Sequence, residues 1–121
     1  MIDKNDLSQQ IINLSNGCSS IECNLIEEMI LNAADYIRSV IIMETTANNI
    51  VKIDGDELRE ARQSTDRARS ISHDAFISSV NVVNRICDKY SIPHIYTGGT
   101  ERREYGDFAI ELVTEIFVNR R

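Results

Sequence analysis

Apolar side chains recur at helical spacing from residue 56 to residue 90, and the stripe they form changes character halfway. From Ala75 to Tyr90 it carries Ala75, Phe76, Val80, Val83, Ile86, Cys87 and Tyr90. From Leu58 to His73 the corresponding turns carry Ala61, Arg62, Thr65, Asp66, Ala68, Arg69, Ser72 and His73. A buried helix normally keeps one apolar stripe along its length. Polar groups that encroach on it over about four turns mark a polar cleft, a subunit contact, or a helix end standing clear of the core.

The rest of the chain reads as helices with defined stops. Residues 3–14 form a short amphipathic helix with Leu7, Ile11, Ile12 and Leu14 on one side, and Asn16-Gly17 ends it. Ser19-Ser20-Ile21-Glu22 is a capping box opening a helix over 20–51. The stripe of this second helix is Ile21, Leu25, Met29, Ala33, Ile37, Val40, Ala47 and Val51, broadened by Ile26, Ile30 and Ile41. A stripe this wide predicts more than one packing partner. Asp54-Gly55-Asp56-Glu57 breaks the chain and caps the third helix, so helices two and three are antiparallel neighbours, with position 44 opposite 65–67. Ser91-Ile92-Pro93 ends helix three. A loop over 92–100 leads, with Thr100 as N-cap, into a last helix over 101–119. Tyr105, Phe108, Ala109, Leu112, Val113, Ile116 and Phe117 point inward there.

The pattern therefore predicts a single all-α domain over 1–121. It is an antiparallel bundle of three long helices plus a short N-terminal one. Its core contains Ile37, Val40, Phe76, Val83, Ile86, Phe108, Leu112 and Ile116. One proline and five glycines in 121 residues agree with long helices.

Charge narrows the partners. The net charge is −6. Residues 1–60 carry 4 basic and 11 acidic side chains, and residues 61–121 carry 9 and 8. An acidic chain lacks the basic field that phosphate neutralisation needs, which argues against nucleic acid as a partner. No apolar run reaches the ~18 residues of a membrane span, and the N-terminus shows no signal-peptide pattern. Cys18, Cys23 and Cys87 are odd in number and match no zinc spacing. A cytoplasmic protein with reduced thiols is expected, with no membrane partner, metal or cofactor.

Several constellations carry possible chemistry. Arg62, Asp66, Arg69 and His73 are spaced four, three and four, which sets them on one helical edge. Glu44 falls in the apolar sector of helix two and faces them across the hairpin. The bland reading is a set of interhelical salt bridges. The sharp one is a pocket with His73 as general acid or base. Asn81, Asn84 and Arg85 form a second polar edge, read as interhelical hydrogen bonds or a subunit contact, with Asn84 as a candidate binding residue. Glu57-x-x-Glu60 and Glu101-x-x-Glu104 resemble the ExxE elements of all-helical nucleotide pyrophosphatases, but acids suit a first helical turn for dipole reasons alone. Asp54-Gly55-Asp56 fails as a calcium loop, since Leu58 and Arg59 stand where an oxygen ligand and a glycine are required. Gly98-Gly99-Thr100 lacks the lysine and spacing of a phosphate loop. Cys87 falls on the apolar face as a small core residue.

Two resemblances bear on function. Arg67 and Arg69 ahead of His73 loosely resemble the Arg–His pattern of the small helical HEPN-type RNases, with the consensus spacing unmatched. The segment His73-Asp74-Ala75-Phe76-Ile77-Ser78-Ser79-Val80-Asn81-Val82-Val83-Asn84-Arg85 is followed by Gly106-Asp107-Phe108-Ala109-Ile110-Glu111 and Phe117-Val118-Asn119-Arg120-Arg121. Together these resemble a group of small bacterial proteins built on a domain of unknown function. That resemblance implies an all-helical, cytoplasmic, bacterial protein and supplies no activity. The leading expectation is a non-enzymatic interaction or structural protein that self-associates, as a dimer. The alternative is a small helical hydrolase or HEPN-like RNase using Arg62, Asp66, Arg69 and His73.

Overall fold

The computed structural model describes residues 6–49 and 55–118. The chain forms α1 (Asp6–Gly17), α2 (Ser20–Asn49), α3 (Gly55–Lys89) and α4 (Arg102–Val113), the last running on into a π-helical turn over Thr114–Val118. No strand occurs among the described residues. The all-α bundle read from the sequence is the fold.

The helix ends show which local signals acted. At α2 the capping box forms in full: the Glu22 N–H donates to the Ser19 hydroxyl at 3.2 Å, and the Ser19 N–H donates to the Glu22 carboxylate at 2.9 Å. The predicted Asp54–Glu57 cap lies outside the described side chains. Helix α1 ends at Gly17, at the Asn16-Gly17 stop read from the sequence. Helix α3 stops without help from Pro93. Ser91 takes a left-handed φ of 56°. The Ile92 N–H bonds the Cys87 carbonyl at 2.9 Å and the Ser91 N–H bonds the Asp88 carbonyl at 3.2 Å. That is a Schellman ending, with serine where glycine is usual. The N-cap of α4 is Glu101, not Thr100, and its side chain makes no capping bond.

Helices α2 and α3 pack along most of their length. Glu22 meets Lys89, Asn32 meets Ser79 and Tyr36 meets His73. These position numbers add to 111, 111 and 109, the signature of an antiparallel pair, and the same register sets 44 opposite 65–67. Leu7, Ile11 and Leu14 of α1 and Tyr105, Phe108, Ala109 and Leu112 of α4 close the core over Ile26, Met29, Ala33, Phe76, Val80 and Val83. Phe76, Val83, Ile86, Phe108 and Leu112 are buried as expected, whereas Ile37, Val40 and Ile116 are half-buried. Ile21, Ile41, Ala75 and Phe117, read as inward, are exposed.

For Val40 and Ile41 the reason is the reach of α4. It begins over the Tyr36–His73 layer, where Arg102 bonds Asp74 at 2.8 Å. Beyond that layer α2 and α3 continue with no third helix beside them among the described residues. Their tails form a two-helix arm, so apolar residues there have one neighbouring helix to bury against.

Candidate functional site

His73 closes the core at the base of this arm. Its ring is 2% exposed and stacks on Tyr36, with centroids 4.6 Å apart and planes 22° from parallel. The tight fit of Tyr36 involves Gly106 of α4, where an added Cβ would stand 3.0 Å from the tyrosine oxygen. Neither ring nitrogen of His73 has a hydrogen-bond partner. Burial holds its pKa below the ordinary value of 6.5, and the positive charge of Arg102 adds to this, with a smaller push from Arg69. The Arg102 backbone and the Asp74 charge pull the other way. The ring is thus held neutral.

Among the described residues no hydrogen bond joins the neighbouring candidates to its ring. Asp66 and Arg69 bond each other at 3.0 Å along the exposed edge of α3. Glu44 is exposed. The side chain of Arg62 lies outside the described residues. Arg69 is close enough to bias His73 electrostatically, but the imidazole itself is covered by Tyr36. Asn84 serves the loop after α3. Its amide donates to the Tyr96 carbonyl at 3.1 Å and its oxygen accepts the Tyr96 N–H at 3.4 Å. Tyr96 is thereby set into the core against Tyr105 and Phe108, at 4.5 and 5.0 Å between centroids. Gly98 is required there, since a Cβ would run into the Tyr96 ring. The loop after α3 is thus packed into the core through Ile95 and Tyr96.

At the far end of the hairpin, Glu22 is a nearly buried carboxylate. It accepts from the Tyr90 hydroxyl at 2.5 Å, from the Ser19 N–H at 2.9 Å and from Lys89 at 2.9 Å. These bonds, that of Tyr90 foremost, hold its pKa down to about 2. Both carboxylate oxygens are engaged by protein donors, which marks a structural tie between α2 and α3. Among the described residues no group of three or more His, Cys, Asp or Glu is arranged to hold a metal ion.

The feature that sequence reasoning passed over is the open side of the hairpin. A groove of about 310 Å³ runs there, lined by Leu25, Glu28, Asn32, Ala75, Ser78, Ser79 and Val82. Asn32 donates to the Ser79 hydroxyl, which in turn donates to the Ala75 carbonyl at 2.8 Å. Ile21 and Leu31 of α2 and Ile71 of α3 are 74%, 53% and 63% exposed. On α3 the exposed or half-exposed residues Ile71, Ala75, Ser78 and Val82 repeat at four, three and four, which aligns them on one face. This second stripe was present in the sequence beside the core stripe, at the same period.

Residues 5–121 match a family profile described as "Protein of unknown function (DUF3232)". The chain belongs to this family. No curated protein matches it in sequence. The DUF3232 description assigns no activity, so the chain's own surface is the guide to its role. No helix among the described residues is long and apolar enough to cross a membrane.

Proposed function

We propose that this DUF3232 chain is a non-enzymatic cytoplasmic interaction protein. In this reading it self-associates as a dimer through the open side of its α2–α3 hairpin. The observation that carries this is the order of residues on the open face of α3. Ile71, Ala75, Ser78 and Val82 read large, small, small, large, and the order is symmetric about its midpoint. Two copies of α3 laid antiparallel about a two-fold axis set Ile71 against Val82 of the partner subunit and Ala75 against Ser78 of the partner subunit. Such self-complementarity is what an isologous interface requires. The small central residues let the two helices approach closely. Ile21 falls at helical spacing with the groove residues Leu25, Glu28 and Asn32 of α2, adding apolar surface for a second copy to cover.

The chemistry of the other candidates supports a non-catalytic role. A general acid or base has to reach its substrate, and His73 is covered on its face by Tyr36 and from above by the start of α4. The cytoplasmic assignment rests on three unpaired cysteines.

Sedimentation across the micromolar range tests the reading. The wild-type chain is expected to run as a dimer that dissociates on dilution. Ile71→Glu is expected to run as a monomer with an unchanged helical circular dichroism spectrum. A wild-type chain that stays monomeric throughout would overturn the proposal.

A further inference from the structure

Cys18 and Cys23 meet at the corner between α1 and α2 with their sulfur atoms 3.3 Å apart. Both thiols also point at the Ser15 carbonyl, at 3.7 and 3.1 Å. We propose that this pair is a redox-active dithiol that a low-molecular-weight disulfide, such as oxidised glutathione, converts to an intramolecular Cys18–Cys23 disulfide.

Three observations carry this. A disulfide bond is about 2.0 Å long, so the sulfurs need to close by little more than about 1 Å. The corner that holds them is fixed by the Ser19–Glu22 capping box, which keeps the sulfurs near each other in the reduced state. Both cysteines are partly accessible, and Asn16, Gly17, Ser19 and Ser20 around them are exposed, so a small reagent reaches the corner. Cys87 contrasts with both. It is fully buried in the core, burial pushes its thiol up, and it stays inert.

The exchange proceeds in two steps. The Cys23 thiolate, in the first turn of α2, attacks one sulfur of oxidised glutathione. The glutathione S–S bond breaks, a Cys23–glutathione bond forms and one glutathione thiolate leaves. Cys18 then gives up its proton to water and attacks the Cys23 sulfur, releasing the second glutathione thiolate. The protein loses two hydrogens and one oxidised glutathione becomes two reduced ones. Cys18 is the less reactive thiol of the reduced pair and so acts second, because burial, the adjacent Cys23 and the Glu22 charge push it up to about 11 there. Closing the pair staples the end of α1 to the start of α2. Since α1 contributes Leu7, Ile11 and Leu14 to the core, redox state then sets how firmly α1 is held.

The test equilibrates the full chain in glutathione buffers of graded oxidation, quenches in acid, alkylates, and reads intact and peptide masses. Wild type is expected to give monomeric protein lighter by two hydrogens, with the peptide carrying both Cys18 and Cys23 refractory to alkylation and Cys87 modified once the chain is unfolded. Cys18→Ser is expected to stop at a single glutathione adduct on Cys23. In wild type, closure should speed up as pH rises, since each exchange step needs a thiolate. Wild type that accumulates glutathione adducts or intermolecular disulfides without losing two hydrogens at any buffer ratio would overturn the proposal.

Discussion

The Tyr36 ring lies over His73 at 4.6 Å and leaves both imidazole nitrogens without a hydrogen-bond partner. The core therefore uses this histidine as a flat neutral ring. Its pKa sits below 6.5 in the folded state, so the unfolded chain takes up the proton first. Stability is full above 6.5 and is lost as pH falls below it toward the folded value. His73→Phe keeps a ring against Tyr36 and removes the proton site. Urea unfolding at about pH 7.5 should place the variant within about 1 kcal/mol of wild type. At about pH 5.5 the variant should be the more stable of the two. A wild-type stability curve that is flat through this window would contradict the neutral ring.

Glu22 titrates in a lower window. Its carboxylate is held at about 2 against an ordinary 4.5, with the Tyr90 hydroxyl as the largest cause. The folded state thus resists protonation, and the stabilisation it supplies is present above 4.5 and lost as pH falls from 4.5 to about 2. Glu22→Gln should be less stable than wild type at neutral pH, and the gap should close across that interval. A gap that persists at the acid end would mean that Glu22 acts through shape and not charge.

Ser91 pays a backbone cost that glycine would not. At φ 56° its Cβ crowds the chain, and a left-handed L-residue costs about 1–2 kcal/mol. Ser91→Gly relieves that strain and adds some freedom to the unfolded chain. A net gain of about 0.5–1 kcal/mol in urea unfolding is expected.

These sites show what a sequence can carry. Helix periods, the Ser19–Glu22 box and the antiparallel register were legible because each is local, or follows from a short connection. The buried set was legible in α3 and α4, where the stripe is narrow and α4 covers it. It failed at Ile41 because the position of the α4 start decides how far the core extends along the hairpin. No periodicity in α2 encodes that. His73 stood out by type, but its covering by Tyr36 depends on the fit of that ring against Gly106, 33 residues further along the chain. Ser91 was missed because the usual left-handed residue is glycine.

The Asp66–Arg69 edge should contribute little to stability. Asp66 is 65% exposed and Arg69 25%, and exposed pairs one turn apart are worth about 0.2–1 kcal/mol. A double-mutant cycle of Asp66→Asn with Arg69→Met should fall in that range. The cycle of Glu44→Gln with Arg69→Met should give less, since Glu44 stands in solvent. Arg69→Met should also raise the His73 pKa, read by proton NMR, because one positive charge near the ring is gone. A Glu44–Arg69 coupling of several kcal/mol would instead reveal a desolvated ion pair across the arm.

Asn84 offers the sharpest test of the loop. One side chain satisfies both the N–H and the carbonyl of Tyr96, and this places the Tyr96 ring against Tyr105 and Phe108. Asn84→Ala strips both partners from a partly buried backbone and should cost about 1–3 kcal/mol. Asn84→Asp keeps the acceptor for the Tyr96 N–H but aims carboxylate lone pairs at the Tyr96 carbonyl, so it should cost at least as much. Asn84→Gln reaches too far to restore the paired geometry and should not rescue. With no tryptophan in the chain, tyrosine fluorescence reports the Tyr96–Tyr105 stack directly. The Ala and Asp variants should both change it under native conditions, before the helices melt. If Asn84→Asp matches wild type in stability and fluorescence, the amide is not the clamp, and the loop is held by the burial of Ile95 and Tyr96 alone.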